Sequence, residues 1–318
     1  MIKYHPIDQA IDLYLENLDL KTLSIKNYKG ILNNYGLYLK SRNIRYPRRS
    51  EVINYRTYIY DKGLSNTTIQ KHMVVIKSFY RWARLNQSYH KLDECFINDI
   101  SEGVKGARVE QIYRKEPLSL EQLNKLYEVS MPKSGDIIEL RNHAMILLMI
   151  VTGLRTVEVS RAKLKDISIL EGKIPILYVQ GKGRDGKDEF VKLPMIVLDA
   201  INEYKRKRTD KNKYLFTRHQ KEADDKPLSR DFIGKMIKKM LLKAGIDSPK
   251  ITPHSLRHTV AHLNLKNGGS IESTQQLLRH KNIETTMIYA HNIRRVEDLS
   301  EERIANMLEK EHSKGEED

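Results

Sequence analysis

Apolar residues recur at helical spacing along most of the chain, with one strand-rich interruption in its C-terminal half. Over residues 6–18, Ile7, Ile11, Tyr14 and Leu15 share one helix face. Ser24 can cap a second helix carrying Tyr28, Ile31, Leu32, Tyr35 and Leu39. Ser50 can cap a third, with Val52, Ile53, Tyr58 and Ile59 inward and Gly63 closing it. Ser65 or Asn66 starts a fourth with Ile69, Met73, Ile76, Phe79, Tyr80 and Ala83 inward. The break comes at residues 173–180 (KIPILYVQ) and 189–193 (EFVKL), two short β-like runs joined by a glycine-rich loop. A mainly α fold is expected, with a small antiparallel β-sheet in its C-terminal part.

Two domains fit 318 residues. Residues 103–116 carry glycines and mixed charge with little periodicity and read as a linker. This leaves a helical domain over 1–102 and a second domain over 117–318, opened by a helix cap at Ser119. Residues 202–213 read as a helix end and its exit. The single cysteine, Cys95, excludes an intramolecular disulfide and a cysteine zinc cluster. No run reaches the ~18–20 apolar residues that span a bilayer, and Ala144 to Val151 is short enough to be a buried helix. The opening residues show no signal-peptide pattern, so a cytoplasmic, nucleoid-associated protein is expected. A net charge of +15 favours polyanionic partners, nucleic acid first and anionic membrane second. Residues 1–116 hold 20 Lys/Arg against 12 Asp/Glu, with tyrosines among them. Such a module can wrap a duplex through phosphate contacts; a helical bundle with solvated basic faces accounts for the same residues.

Four elements of the second domain carry the residue types that break a phosphodiester, whose developing charge must meet cations or aimed donors. Gly153 can cap the apolar helix, so Arg155 emerges at a tight junction with Glu158 three residues on, placed to hold it. Thr252 and Pro253 start a helix whose first turn carries His254 and Arg257 on one face, where a helix N-terminus already favours an anion. His254, His258 and His262, four apart, admit a metal-site reading, but Arg257 would crowd the cation and the zinc-protease glutamate is missing. His262 reads as packing. Lys182, between two glycines, can bring an ammonium to a phosphate and can give up its proton, which arginine does not; Lys187 competes for that role. His280 ends a helix nine residues before Tyr289. A phenol ordinarily titrates near ~10, so it needs cations or a base to attack at neutral pH.

From Pro117 to about His291 the chain resembles the catalytic domain of the tyrosine recombinases, in the pieces TGLRTVE, GKG, HSLRHT, LLRH and TTMIYAH and in their order. The first domain resembles, more loosely, that family's core-site-binding helical domain. The resemblance implies a C-shaped clamp on double-stranded DNA and cutting and rejoining through a 3′-phosphotyrosyl bond, with neither metal nor ATP nor another cofactor. It implies that Arg155 and Arg257 clamp the phosphate and Tyr289 attacks it. Lys182 would protonate the leaving 5′ oxygen, His254 would act as base or acid, and His280 would donate to a phosphate oxygen. Glu158 and His258 would organise these groups from behind. It further implies self-association, a dimer on a site and a tetramer in the synapse, with residues 293–308 long enough to dock on a neighbour and accessory directionality or bending proteins as further partners.

Several features bear on those expectations. Arg279 stands where the family has a glycine before the histidine, and the hairpin loop around Asp185-Gly186-Lys187 is longer than in compact members. No arm-binding segment precedes Ile7, which favours a simple core-site recombinase. A type IB topoisomerase uses the same kind of site; two defined DNA sites and synapsis separate the two. A binding protein without catalysis would lack part of the cationic set, and a metal nuclease would need clustered carboxylates where only Glu158 occurs.

Overall fold

The computed structural model describes residues 5–108, 116–181, 186–219, 226–287, 289 and 302–307. It divides into two compact units, Met1–Ile112 and Tyr113–Asp318.

The first unit holds α1 (Pro6–Glu16), α2 (Thr22–Ser41), α3 (Arg49–Asp61) and α4 (Asn66–Asn86). The Ser65 side chain caps α4, as the sequence suggests. The caps of α2 and α3 fall elsewhere. Lys21 precedes α2 without a side-chain capping bond, and Arg48 precedes α3, where Glu51 accepts its backbone N–H at 2.6 Å. A carboxylate in the first turn thus does the work expected of Ser50. Aromatic rings build this core: Tyr14, Tyr35, Tyr55, Tyr80, Phe79 and Phe96 are all buried. A buried phenol needs a partner for its hydroxyl. Tyr35 and Tyr80 pair at 3.0 Å, Tyr55 meets His72 Nδ1 at 3.0 Å, and Tyr14 donates to Ser78 at 2.8 Å. Several tyrosines interleaved with the basic residues are therefore core, whereas Tyr46, Tyr60 and Tyr89 stand exposed. The strand of chain that follows stays on this unit: Arg49 donates to the Glu102 carbonyl, Arg56 to that of Lys105 and Asn66 to that of Arg108.

The second unit begins with α5 (Leu120–Ser130), capped by Ser119. The apolar run lies in α6 (Ile137–Thr152), buried on nearly every side and packed against α8 (Met195–Lys207), α5 and α10 (Pro253–Lys266). The short α7 (Thr156–Arg161) leads to an antiparallel meander of β1 (Ile167–Leu170), β2 (Ile174–Val179) and β3 (Glu189–Lys192). The register pairs Ile167 with Leu177 and Leu177 with Val191. The sequence reading anticipated β2 and β3 but not β1, a four-residue strand whose Ser168 and Ile169 face solvent. α9 (Arg230–Lys243) and α11 (Ile271–Leu278) complete the unit, and helical backbone recurs at 284–287, 289 and 302–307. Most of the 293–308 segment, read as a docking helix, lies outside the described residues; Ile304 and Met307 within it are exposed.

Candidate active site

Three helix ends of the second unit meet at one cavity of ≈550 Å³, lined among others by Arg155, Gly181, His254, Arg257, His258, Arg279, His280 and Tyr289. α6 stops where Gly153 turns left-handed (φ 64°), a conformation glycine adopts without penalty. A Cβ there would sit 2.7 Å from Leu278 Cδ2, so the ends of α6 and α11 are in close contact. The turn delivers Arg155 as the N-cap of α7. Glu158, 1% exposed, accepts the Arg155 backbone N–H at 2.7 Å through Oε2 and the Arg155 Nη1 at 3.0 Å through Oε1. The pairing proposed from a three-residue spacing is present.

On α10, Thr252 is the cap and Pro253 the first helical residue. His254 is exposed on the opening turn, whereas Arg257 and His258 one turn on are 2% and 6% exposed. Arg257 donates through Nη1 to the Gly153 carbonyl at 2.6 Å and through Nη2 to the Leu278 carbonyl, so one guanidinium ties together the ends of all three helices. Burial, with neighbouring Arg155 next in effect, pushes Arg257 down from its ordinary range to about 9. It still carries its charge at neutral pH.

α11 ends at Arg279, left-handed at φ 55°, whose N–H returns to the Gln276 carbonyl at 3.0 Å. The arginine thus occupies the backbone state that glycine would hold, and His280 follows without a break. His280 Nδ1 meets Thr286 Oγ1 at 2.9 Å, and its ring lies nearly parallel to that of Tyr289, 6.4 Å away. Burial first, then Arg257 and Arg155, hold His280 down to about 3, so it is a neutral imidazole at working pH. Tyr289 is 7% exposed, and its hydroxyl lies 2.5 Å from His258 Nδ1. His254 packs edge-on against His258, with ring centroids 4.6 Å apart.

Seven of the eight residues singled out in the sequence are therefore within or behind one cavity: Arg155, Glu158, His254, Arg257, His258, His280 and Tyr289. Lys182 lies outside the described residues, although Gly181 immediately before it lines the cavity. Lys187 is engaged elsewhere, bonded to Asp166 Oδ2 and to the Arg161 carbonyl at 3.1 Å. The histidine in contact with the phenol is His258, which the sequence reading set behind the reacting groups, and not His254. Arg279, a departure in a turn by sequence, holds that left-handed turn and also lines the cavity as a third guanidinium; an arginine beside His280 was the one signal of it. Among the described residues, no three His, Cys, Asp or Glu side chains are grouped to hold a metal ion.

Comparison with known proteins matches residues 116–295 to the phage integrase family and residues 11–87 to the phage integrase N-terminal SAM-like domain. Tyrosine recombinase XerA of Pyrococcus furiosus is 32% identical over 265 residues, 83% of this chain and 82% of the relative. Tyrosine recombinase XerD of Staphylococcus saprophyticus is 29% identical over 299 residues, 90% and 94% of the two chains. The fold is shared with XerH site-specific recombinase bound to difH substrate, at 21% identity and a TM-score of 0.65, covering 87% of this chain and 79% of that one. The chain belongs to the phage integrase family. It is a tyrosine recombinase, an enzyme of site-specific DNA strand exchange.

Proposed function

We propose that Tyr289 is the nucleophile of this recombinase and that the cavity around it is the scissile-phosphate site. The observation that carries this reading is the meeting of Arg155, Arg257, His258 and the Tyr289 hydroxyl around one opening, with the phenol 2.5 Å from an imidazole. The phenol oxygen attacks phosphorus and its proton passes to His258. The Tyr–O–P bond forms as the bond to the 5′ oxygen breaks, and Lys182 protonates that oxygen. Arg155 and Arg257 meet the charge on the non-bridging oxygens, where preorganised donors act most strongly. His254, against the ring of His258, holds the base in place and faces the entering backbone; neutral His280 donates to a phosphate oxygen. One phosphoester replaces another, so the 5′ hydroxyl of a second strand can reverse the step without ATP.

Residues 1–102 serve as the core-site-binding domain, 103–116 as the linker and 117–318 as the catalytic domain, the two domains closing on duplex DNA as a clamp. The family matches at 11–87 and 116–295 support that division. A λ integrase of the same fold is known as a dimer on a core site and as a tetramer on a Holliday junction, which supports the same assemblies here. Residues 293–308 dock on a neighbouring copy, and accessory directionality or bending proteins act with the assembly. No described helix is long and apolar enough to cross a membrane, in keeping with a protein acting on the chromosome in the cytoplasm.

The test uses nicked duplexes tiled across DNA flanking the gene, incubated with chelator and without ATP. Wild type should yield a denaturant-resistant adduct on one fragment, and Tyr289→Phe should bind that fragment without forming it. An adduct from Tyr289→Phe would exclude Tyr289 as the nucleophile.

A further inference from the structure

We infer that Arg279 is a positioning residue of the phosphate site, acting through Glu158 to fix how Arg155 presents its guanidinium; the inference rests on the reading that Arg155 holds the scissile phosphate. The Arg279 side chain is 6% exposed and lines the same cavity as Arg155 and Arg257. Its Nη2 donates to Glu158 Oε2 at 3.1 Å, and its Nη1 to the Leu277 carbonyl at 3.0 Å. Glu189 on β3 stands 4.0 Å from Nε, which is buried and has no hydrogen-bond partner among the described residues.

The division of Glu158 is what matters. An isolated Arg–carboxylate pair prefers the fork geometry, with two parallel bonds to the two oxygens. Here Oε2 is taken by Arg279 and by the Arg155 backbone N–H, and Arg155 keeps a single side-chain bond to Oε1. Its side chain remains 26% exposed and lines the cavity. Without Arg279, Glu158 can accept Arg155 side-on and draw the fork off the phosphate. A third guanidinium also leaves the carboxylate unable to cancel the charge of Arg155 alone.

The backbone argues the same way. At φ 55° an arginine is held where glycine is easier, so the backbone conformation by itself does not favour it. Burial lowers its proton affinity, an effect that Glu158 opposes most, with Glu189 beside it.

Arg279→Gly relaxes the turn, Arg279→Met keeps the stem without the charge, and Arg279→Lys keeps the charge without the fork. Each is compared with wild type for thermal midpoint, for affinity and for single-turnover cleavage on the fragment that gives the covalent adduct. The Gly and Met variants should cleave ~10- to 100-fold more slowly, the scale of a misplaced catalytic group. Binding should stay within about 3-fold of wild type, because the change acts on geometry rather than on docking, and Lys should recover part of the rate. Arg279→Met added to Glu158→Gln should slow cleavage no further than Glu158→Gln alone, since the two act through one contact. Wild-type cleavage by Arg279→Gly, or additive losses in the double variant, would overturn the inference while Arg155→Ala still abolishes cleavage. Normal cleavage by Arg155→Ala would overturn the phosphate-site reading beneath it.

Discussion

Replacing Arg257 by lysine keeps a cation at the centre of the site and removes its fork. The guanidinium serves two carbonyls, Gly153 and Leu278, from two different nitrogens. One ammonium cannot reproduce both bonds in that geometry, and a buried acceptor left unpaired costs about 1–3 kcal/mol. For a unit the size of Tyr113–Asp318, each kcal/mol lowers the midpoint by ~2–4 °C, so a fall of ~2–12 °C is expected. The electrostatic consequence is larger. Burial and Arg155 bring Arg257 down from its ordinary range to about 9. The same surroundings acting on a lysine, whose ordinary value is the lower of the two, hold its ammonium down in the same direction. The charge that meets the phosphate would then be lost at a lower pH than the wild-type guanidinium loses its own. Single-turnover cleavage by Arg257→Lys should be down ~10²-fold or more at pH 8, as when a transition-state donor is removed, with partial recovery at pH 6. Stability should run oppositely. The unfolded chain binds the lysine proton more tightly than the folded one, so the midpoint deficit narrows as pH rises towards the lysine's ordinary ~10.4. Cleavage at the wild-type rate from pH 6 to 9, with an unchanged midpoint, would refute the reasoning.

The two loop lysines separate by phenotype: Lys182→Ala should lose cleavage and keep its midpoint, whereas Lys187→Ala should lower the midpoint by leaving Asp166 buried without its counter-ion, held only by the Lys163 backbone N–H among the described residues, yet still cleave. The reverse pattern would exchange their roles. His280 should stay neutral in the DNA-free protein from pH 5 to 8 by imidazole nitrogen shifts, and its proton affinity should rise when a duplex phosphate offsets Arg257 and Arg155; half-protonation near 6.5 in the absence of DNA would contradict the site's electrostatics. Gly153→Ala should cost ~1–3 kcal/mol through its left-handed backbone and should slow cleavage too, because the new Cβ displaces Leu278, whose carbonyl holds Arg257. A variant as stable and active as wild type would show that this close approach is not needed.

Much of this was legible in the sequence, for identifiable reasons. Ser65, Ser119, Thr252 and Gly153 mark helix ends by local chemistry, and all four cap where their residue types indicate. The caps of α2 and α3 were not legible, because Lys21 and Arg48 offer no capping side chain and Glu51 supplies the bond from within the helix. β1 is too short to show a period and is defined by pairing with β2. The site's membership was readable because it follows from residue type and order. Its internal contacts were not. That His258 rather than His254 meets the phenol depends on the direction from which Tyr289 enters, and no spacing along α10 encodes that. Arg279 was visible as an oddity, but its pairing with Glu158 spans 121 residues and exists only once α7 and α11 are packed.

The most direct test of the account is to identify which tyrosine carries the DNA. The adduct formed by wild type on its reactive fragment would be digested with nuclease and trypsin and read by tandem mass spectrometry. Cleavage after Lys281 and Arg294 releases the peptide NIETTMIYAHNIR, which contains Tyr289 and no other of the chain's 17 tyrosines. The account predicts a nucleotide 3′-phosphate on that peptide. The same mass increment on a peptide holding any other tyrosine would contradict it.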